Sequence, residues 1–146
     1  PDMGGSKRAN AYAQLLDSGV VICYKERKKA NEIGDIQVLG SVREKDVVII
    51  DDMVDTAGTL AKAADLMIER GAASVRAYCT HGILSGEAYN RLDKSMITEL
   101  VITDTIPKIH TSSKVREISV ASFLAKTIKA VVANESISAT WRSNNK

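Results

Sequence analysis

One strand-to-turn-to-helix run gathers most of the chemistry in this sequence: Val47-Val48-Ile49-Ile50-Asp51-Asp52-Met53-Val54-Asp55-Thr56-Ala57-Gly58-Thr59-Leu60. Four β-branched residues, Val47 to Ile50, predict a short strand buried on both faces. Three carboxylates, Asp51, Asp52 and Asp55, then crowd the strand end. From Asp55 to Thr59 the chain supplies small residues, two hydroxyls and Gly58 just ahead of an amphipathic helix. Such a turn aims successive backbone N–H groups into one concavity, at the positive end of the helix dipole. A phosphate seated there accepts several charge-assisted hydrogen bonds, each of about 1.5–3 kcal/mol.

Asp51 and Asp52 repel a phosphate at close range. They suit vicinal hydroxyls, or a Mg²⁺ that bridges to oxygen ligands. A sugar phosphate meets both ends at once, its anion in the turn and its diol against the acids. Asp55, at the start of the turn, could cap the helix by accepting its free N–H groups. An ordinary strand-to-helix connection, in which acids only cap and solvate, would account for Asp-Asp alone but not for the whole string.

A second cluster, Lys25-Glu26-Arg27-Lys28-Lys29, puts four cations just past a predicted strand. A charge run is commonly a solvated face. Beside a phosphate turn it gains another meaning, because phosphoryl transfer needs cations that neutralise oxygens in the transition state. One Lys point charge paired with one Arg fork suits a polyphosphate. Asp2 lies in a turn whose Gly4-Gly5 pair permits positive φ and close backbone approach. It reads either as a helix-flanking turn residue or as a metal or pyrophosphate contact. His81 and His110 have no second ligand at a zinc spacing, and His81 reads as a polar contact near a crevice or as a structural hydrogen bond. Cys23 and Cys79 each fall in a predicted strand, as reduced core thiols rather than a disulfide framework.

The elements that must position these groups alternate. Strands are expected at 20–24, 36–39, 47–50, 74–79, 99–103 and 115–119, and helices at 6–16, 59–70, 85–94 and 121–133. In the second helix Leu60, Ala63, Ala64, Met67 and Ile68 recur at helical spacing, and Gly71 follows as its C′ residue. Ser85 is the expected N-cap of the third. Leu124, Ile128, Val131 and Val132 form one stripe on the fourth. This alternation implies an α/β fold, a mostly parallel sheet flanked by helices. In such sheets ligands bind beyond the carboxyl ends of the strands. The Asp51–Thr59 turn, residues 25–31 and Thr80-His81-Gly82 are all expected at that edge. Residues 1–133 read as one domain and 134–146, which include Trp141, as a polar tail.

At 146 residues, with 45% hydrophobic and 26% charged side chains, the chain has the composition of one soluble domain. A net charge of +2 gives no argument for nucleic acid or a membrane surface. No apolar run is long enough to span a bilayer and no secretory leader opens the sequence, so a cytoplasmic protein is expected. The opening Pro1-Asp2-Met3-Gly4-Gly5 reads as a loop that would follow a strand, and the chain is expected to be a piece of something longer.

Taken together, the opening Pro1–Gly5 turn, the Lys25-Glu26-Arg27-Lys28-Lys29-Ala30-Asn31 loop, the Asp51–Thr59 signature and Thr80-His81-Gly82-Ile83-Leu84-Ser85-Gly86 resemble the C-terminal half of the ribose-phosphate pyrophosphokinases, also called phosphoribosyl-pyrophosphate synthetases. The resemblance runs from residue 1 to about residue 138. The Asp-Asp-X-X-Asp-Thr-X-Gly-Thr signature alone marks the type I phosphoribosyltransferase fold; the Lys-X-Arg loop with Thr-His-X-X-X-Ser-Gly narrows it to the synthetases.

The resemblance implies Mg²⁺-dependent transfer of the β,γ-diphosphate of ATP to the 1-hydroxyl of ribose 5-phosphate, giving phosphoribosyl pyrophosphate and AMP for nucleotide biosynthesis. It implies that Asp55, Thr56, Ala57, Gly58 and Thr59 bind the 5-phosphate and that Asp51 and Asp52 hold the 2- and 3-hydroxyls. Lys25 and Arg27 match the catalytic pair of a loop over the transferring phosphates. Asp2 matches the acid associated with Mg²⁺. The family's N-terminal domain, with most adenine contacts, is expected as a partner, as is assembly into homo-oligomers, and this piece alone is expected to make no product. From Ala139 onward, Ala-Thr-Trp-Arg departs from the family's aromatic and apolar ending, which puts control by ADP or phosphate in question. Two other readings compete: a nucleobase phosphoribosyltransferase, for which no base-recognising hood is evident, and a non-catalytic synthetase-associated subunit, which the intact Lys25 and Arg27 disfavour.

Overall fold

The computed structural model describes residues 5–25 and 36–138. In chain order these form α1 (Ser6–Leu15), β1 (Ile22–Lys25), β2 (Ile36–Leu39), β3 (Asp46–Val54), α2 (Gly58–Glu69), β4 (Ser74–Gly82), α3 (Ala88–Lys94), β5 (Glu99–Thr103), β6 (Val115–Ile118) and α4 (Ala121–Val132). Four strands make one parallel sheet in the order β3-β4-β5-β6, as the alternating pattern requires. The first two strands do not join it. They pair with each other, antiparallel, from Ile22 opposite Leu39 to Lys25 opposite Ile36. Lys25 is thus the last residue of a strand, not the first of a loop.

The core lies where α2 and α3 cover the sheet. Val75, Leu84, Leu92, Ile97, Leu100 and Ile102 are its largest fully buried side chains. On α2 the predicted stripe is the buried one: Ala63, Ala64 and Met67 are inside, with Leu60 and Ile68 packed against them. The helix stops as its sequence dictates. Gly71 takes φ +90°, its N–H donates to Ile68 O, and the Ala72 N–H donates to Met67 O, the paired bonds of a Schellman cap. Asn134 closes α4 in the same way, at φ +55°, with bonds to Val131 O and from Glu135 to Ala130 O.

Three local expectations are corrected. The strand at Val47 continues through the acids to Val54, because β4 is equally long and pairs with it as far as Val54 opposite Gly82. That strand is also buried on one face only: Ile49 is inside, while Val48 is 45% exposed. The third helix begins at Ala88 rather than at Ser85, with Glu87 in the N-cap position and no side-chain cap. The apolar stripe of α4 is coherent but exposed at Leu124, Ile128, Val131 and Val132.

Gly82 ends β4 against the fully buried Ile102. A Cβ there would lie 2.7 Å from Ile102 Cδ1, 2.8 Å from Cγ2 and 3.1 Å from Cβ, so the whole side chain would have to move. Gly82→Ala should therefore cost about 1–3 kcal/mol by overpacking. Urea denaturation should show a lower midpoint with an unchanged slope; an unchanged midpoint would contradict this packing.

Candidate functional site

Carrying β3 through the acids has a direct consequence: Asp51 and Asp52 are held by strand pairing, with Asp51 opposite Cys79 and Met53 opposite His81. Each carboxylate turns back onto the next amide. Asp51 Oδ1 accepts the Asp52 N–H at 2.9 Å, and Asp52 Oδ1 accepts the Met53 N–H at 3.0 Å. A residue that the sequence did not mark faces both. Arg8, on α1, places Nη1 3.7 Å from Asp51 Oδ1 and Nη2 3.3 Å from Asp52 Oδ2. The two acids are driven apart electrostatically. Burial raises the Asp51 carboxyl above the usual range, whereas the hydrogen bond with Asp51, and then Arg8, lower Asp52. Behind them, burial pushes the Cys79 thiol up to about 11, and both Cys23 and Cys79 are free.

The turn after β3 is built by what grips it. Val54 O accepts the N–H groups of both Ile83 and Leu84, and Asp55 O accepts that of Ser85. Asp55 does not cap α2, as its position suggested. Its Oδ1 accepts the Ser85 hydroxyl, which is why Ser85 is not free to cap α3. Arg91, on α3, donates from Nη1 to Thr56 O at 2.8 Å. Ala57, 3% exposed and at φ +56°, then reverses the chain into α2. A left-handed residue with a Cβ costs of order 1–2 kcal/mol, so the surrounding bonds must hold it. The N-cap has no side-chain hydrogen bond. Among the described residues no acceptor faces the amides of Gly58, Thr59 and Leu60; the first helical bond is from Ala61 N–H to Ala57 O at 2.9 Å. These are the orphan donors that any α-helix start leaves, and such donors suit an anion.

At the ends of β4 and β5 a hydroxyl network completes the edge. Thr103 Oγ1 donates to Thr80 O at 2.7 Å, Thr105 Oγ1 to the same carbonyl at 3.1 Å, and His81 Nδ1 lies 2.9 Å from Thr105 Oγ1. The β4–β5 register shifts between Tyr78 and His81, so His81 has a structural hydrogen bond beside the crevice. A cavity of about 360 Å³ is lined by Arg8, Asp51, Asp52, Tyr78, Thr80 and Thr103. A second cavity, between α1 and β3, is mostly apolar and does not include the acid pair; the 55–59 turn lines neither cavity.

The structure thus brings Asp51, Asp52, Asp55, Thr56, Ala57, Gly58 and Thr59 onto one strand-turn-helix segment. Lys25 is placed by its backbone alone, and Arg27 and Asp2 lie outside the described residues. Among the described residues no group of three or more His, Cys, Asp or Glu side chains could hold a metal ion. The Asp51–Asp52 pair, already bridged by Arg8, fits a Mg²⁺ only if phosphate oxygens and water supply most of the ligands, which is that ion's common mode.

Residues 30–142 match the family described as the phosphoribosyl synthetase-associated domain. The chain belongs to that family. It is 50% identical to the ribose-phosphate pyrophosphokinase of Porphyromonas gingivalis over 141 residues, covering 97% of this chain and 45% of the relative. It is 44% identical over 144 residues to ribose-phosphate pyrophosphokinase A of Dictyostelium discoideum, with 97% and 45% covered. The crystal structure of phosphoribosylpyrophosphate synthetase from Mycobacterium smegmatis superposes with a TM-score of 0.83 at 34% identity, over 92% of this chain and 44% of that one. The chain therefore spans about half the length of the synthetases it matches, and the α/β fold expected from the resemblance is the one observed.

Arg91 shares a short helix with Lys94, and nothing in the sequence marks it as a support of the turn. Removing it leaves the Thr56 carbonyl unpaired and the strained Ala57 less restrained. In Arg91→Ala, amide exchange at Ala61 and Ser85, whose acceptors are Ala57 O and Asp55 O, should speed by about tenfold. Amides of β4 and β5 should keep their rates. Equal acceleration everywhere would mean that Arg91 supports global stability and not this turn.

Proposed function

We propose that the chain is the sugar-phosphate half of an ATP:ribose-5-phosphate diphosphotransferase, the C-terminal half of its parent as the motif order implies. Residues 1–133 are its domain and 134–146 its tail. One observation carries this reading: the unpaired amides of Gly58, Thr59 and Leu60 open at the end of β3, a few residues past two carboxylates held for hydrogen bonding. A phosphorylated pentose matches both. Its 5-phosphate takes the amides and hydroxyls of Asp55 to Thr59. Its 2- and 3-hydroxyls donate to Asp51 and Asp52, which when ionised only accept hydrogen bonds.

With the sugar anchored at both ends, its 1-hydroxyl oxygen is free to attack the β-phosphorus of ATP. The new O–P bond forms as the bond between the α,β-bridging oxygen and the β-phosphorus breaks, AMP leaves, and the hydroxyl proton is released to solvent. Orientation supplies much of the rate, because a held nucleophile reacts as if highly concentrated. Lys25 and Arg27 neutralise oxygens of the transferring diphosphate, the first as a point charge and the second as a fork that also reaches the sugar phosphate. Mg²⁺, when bound, supplies charge neutralisation on the polyphosphate, with Asp2 as its protein ligand. The adenine contacts come from the parent's N-terminal domain, and the active assembly is a homo-oligomer in the cytoplasm. The described residues contain no helix long and apolar enough to cross a membrane.

In the intact protein Lys25→Ala should lower kcat by about a hundredfold or more, the scale of a lost transition-state contact, with an unchanged circular dichroism spectrum. AMP should form from ATP only when ribose 5-phosphate is present. Product formed instead from phosphoribosyl pyrophosphate and a nucleobase would identify a phosphoribosyltransferase. An unchanged rate in Lys25→Ala would favour a non-catalytic subunit.

A further inference from the structure

The position of Arg8 conflicts with its own helix. It lies in the first turn of α1, which also holds Lys7 and has no acidic residue. A cation at a helix N-terminus opposes the macrodipole, so Arg8 is not there for the sake of α1. What it meets is the acid pair on β3, more than forty positions along the chain. One guanidinium contacts two carboxylates, at 3.3 and 3.7 Å, and all three side chains line the polar cavity with Thr80 and Thr103.

The bridge does not exhaust the acids. An ionised carboxylate has about four lone-pair sites. Asp51 Oδ1 accepts one backbone amide and faces Arg8; Asp52 accepts one amide on Oδ1 and Arg8 on Oδ2. Acceptor capacity for two hydroxyls remains on the pair. Without the guanidinium, two adjacent like charges, one half-buried, repel each other and gain by turning apart toward water. A rigid fork that spans both counters that motion in a way that a single ammonium cannot.

We propose that Arg8 is a positioning residue for sugar recognition: by bridging Asp51 and Asp52 it holds both as simultaneous acceptors for vicinal hydroxyls, and so sets the preference for a pentose with both hydroxyls over its 2-deoxy analogue. This rests on the reading of Asp51 and Asp52 as the diol acceptors. A site organised to hydrogen-bond a hydroxyl discriminates strongly against the ligand that lacks it, and loses that discrimination when its acceptors are no longer fixed.

The test uses the intact protein with ribose 5-phosphate and 2-deoxyribose 5-phosphate as alternative substrates, and the variants Arg8→Met, Arg8→Lys and Asp51→Asn. Arg8→Met should raise KM for ribose 5-phosphate about tenfold while kcat stays within about threefold. Its preference in kcat/KM for ribose 5-phosphate over the deoxy sugar should shrink by a similar factor. Arg8→Lys should recover only part of both losses. Unchanged KM and sugar preference in Arg8→Met, with Asp51→Asn raising KM, would overturn the role of Arg8 and leave the diol reading standing. Unchanged behaviour in Asp51→Asn as well would overturn the diol reading itself, and the proposal with it. Should Arg8→Met not fold, Arg8→Gln carries the same comparison.

Discussion

The site depends on a turn that the chain cannot hold by itself. Between β3 and α2 the backbone must pass through a left-handed Ala57 and leave the first helix amides without partners. Both features cost free energy, and neither is repaid within the segment. The restraint comes from later in the sequence: the 83–85 amides clamp Val54 and Asp55, Ser85 holds the Asp55 carboxylate, and Arg91 holds the Thr56 carbonyl. Strain and unpaired donors persist at a site when the surroundings over-determine the backbone. Here α3 and the loop before it do so, and the orphan amides stay available to an anion.

The same logic orders the acid pair. Two carboxylates side by side on an edge strand are stable only with partners, and each has one in the following amide. Arg8 adds a counter-charge from a third element. The crevice is therefore assembled from α1, β3, β4, β5 and β6, with the core residues Leu100 and Ile102 fixing how the strands meet. The first-turn cations of α1, the αL Ala57 and the uncapped starts of α2 and α3 are all local departures from helix preference, and they include Arg8 at the crevice and the whole turn after β3. Natural sequences concentrate such departures at functional sites.

Much of this was legible in the sequence for reasons that are local. The 3.6-residue stripe of α2 and its Gly71 stop need no tertiary information, and both are observed. Val47 to Ile50 announced a strand, but its extension through Asp51 and Asp52 did not show, because acids have low strand preference and only the length of β4 supplies their pairing. Ser85 reads as a cap in the sequence because a hydroxyl before a helix looks the same whether it serves that helix or the carboxylate of Asp55, thirty positions earlier. The cations proposed for the site divide in the same way. Lys25 and Arg27 sit in a dense run that the sequence displays, whereas Arg8 and Arg91 make their contacts 44 and 35 residues away.

The central claim is that backbone amides at the start of α2 receive the phosphate of a phosphorylated pentose. Its most direct measurement is a titration of the isotope-labelled protein with ribose 5-phosphate, followed through its amide nitrogen and proton resonances, with unphosphorylated ribose as the control. The account predicts large downfield proton shifts at Thr56, Gly58, Thr59 and Leu60 with the phosphorylated sugar and none of comparable size with ribose. Shifts confined to other surfaces, or equal responses to both sugars, would contradict it.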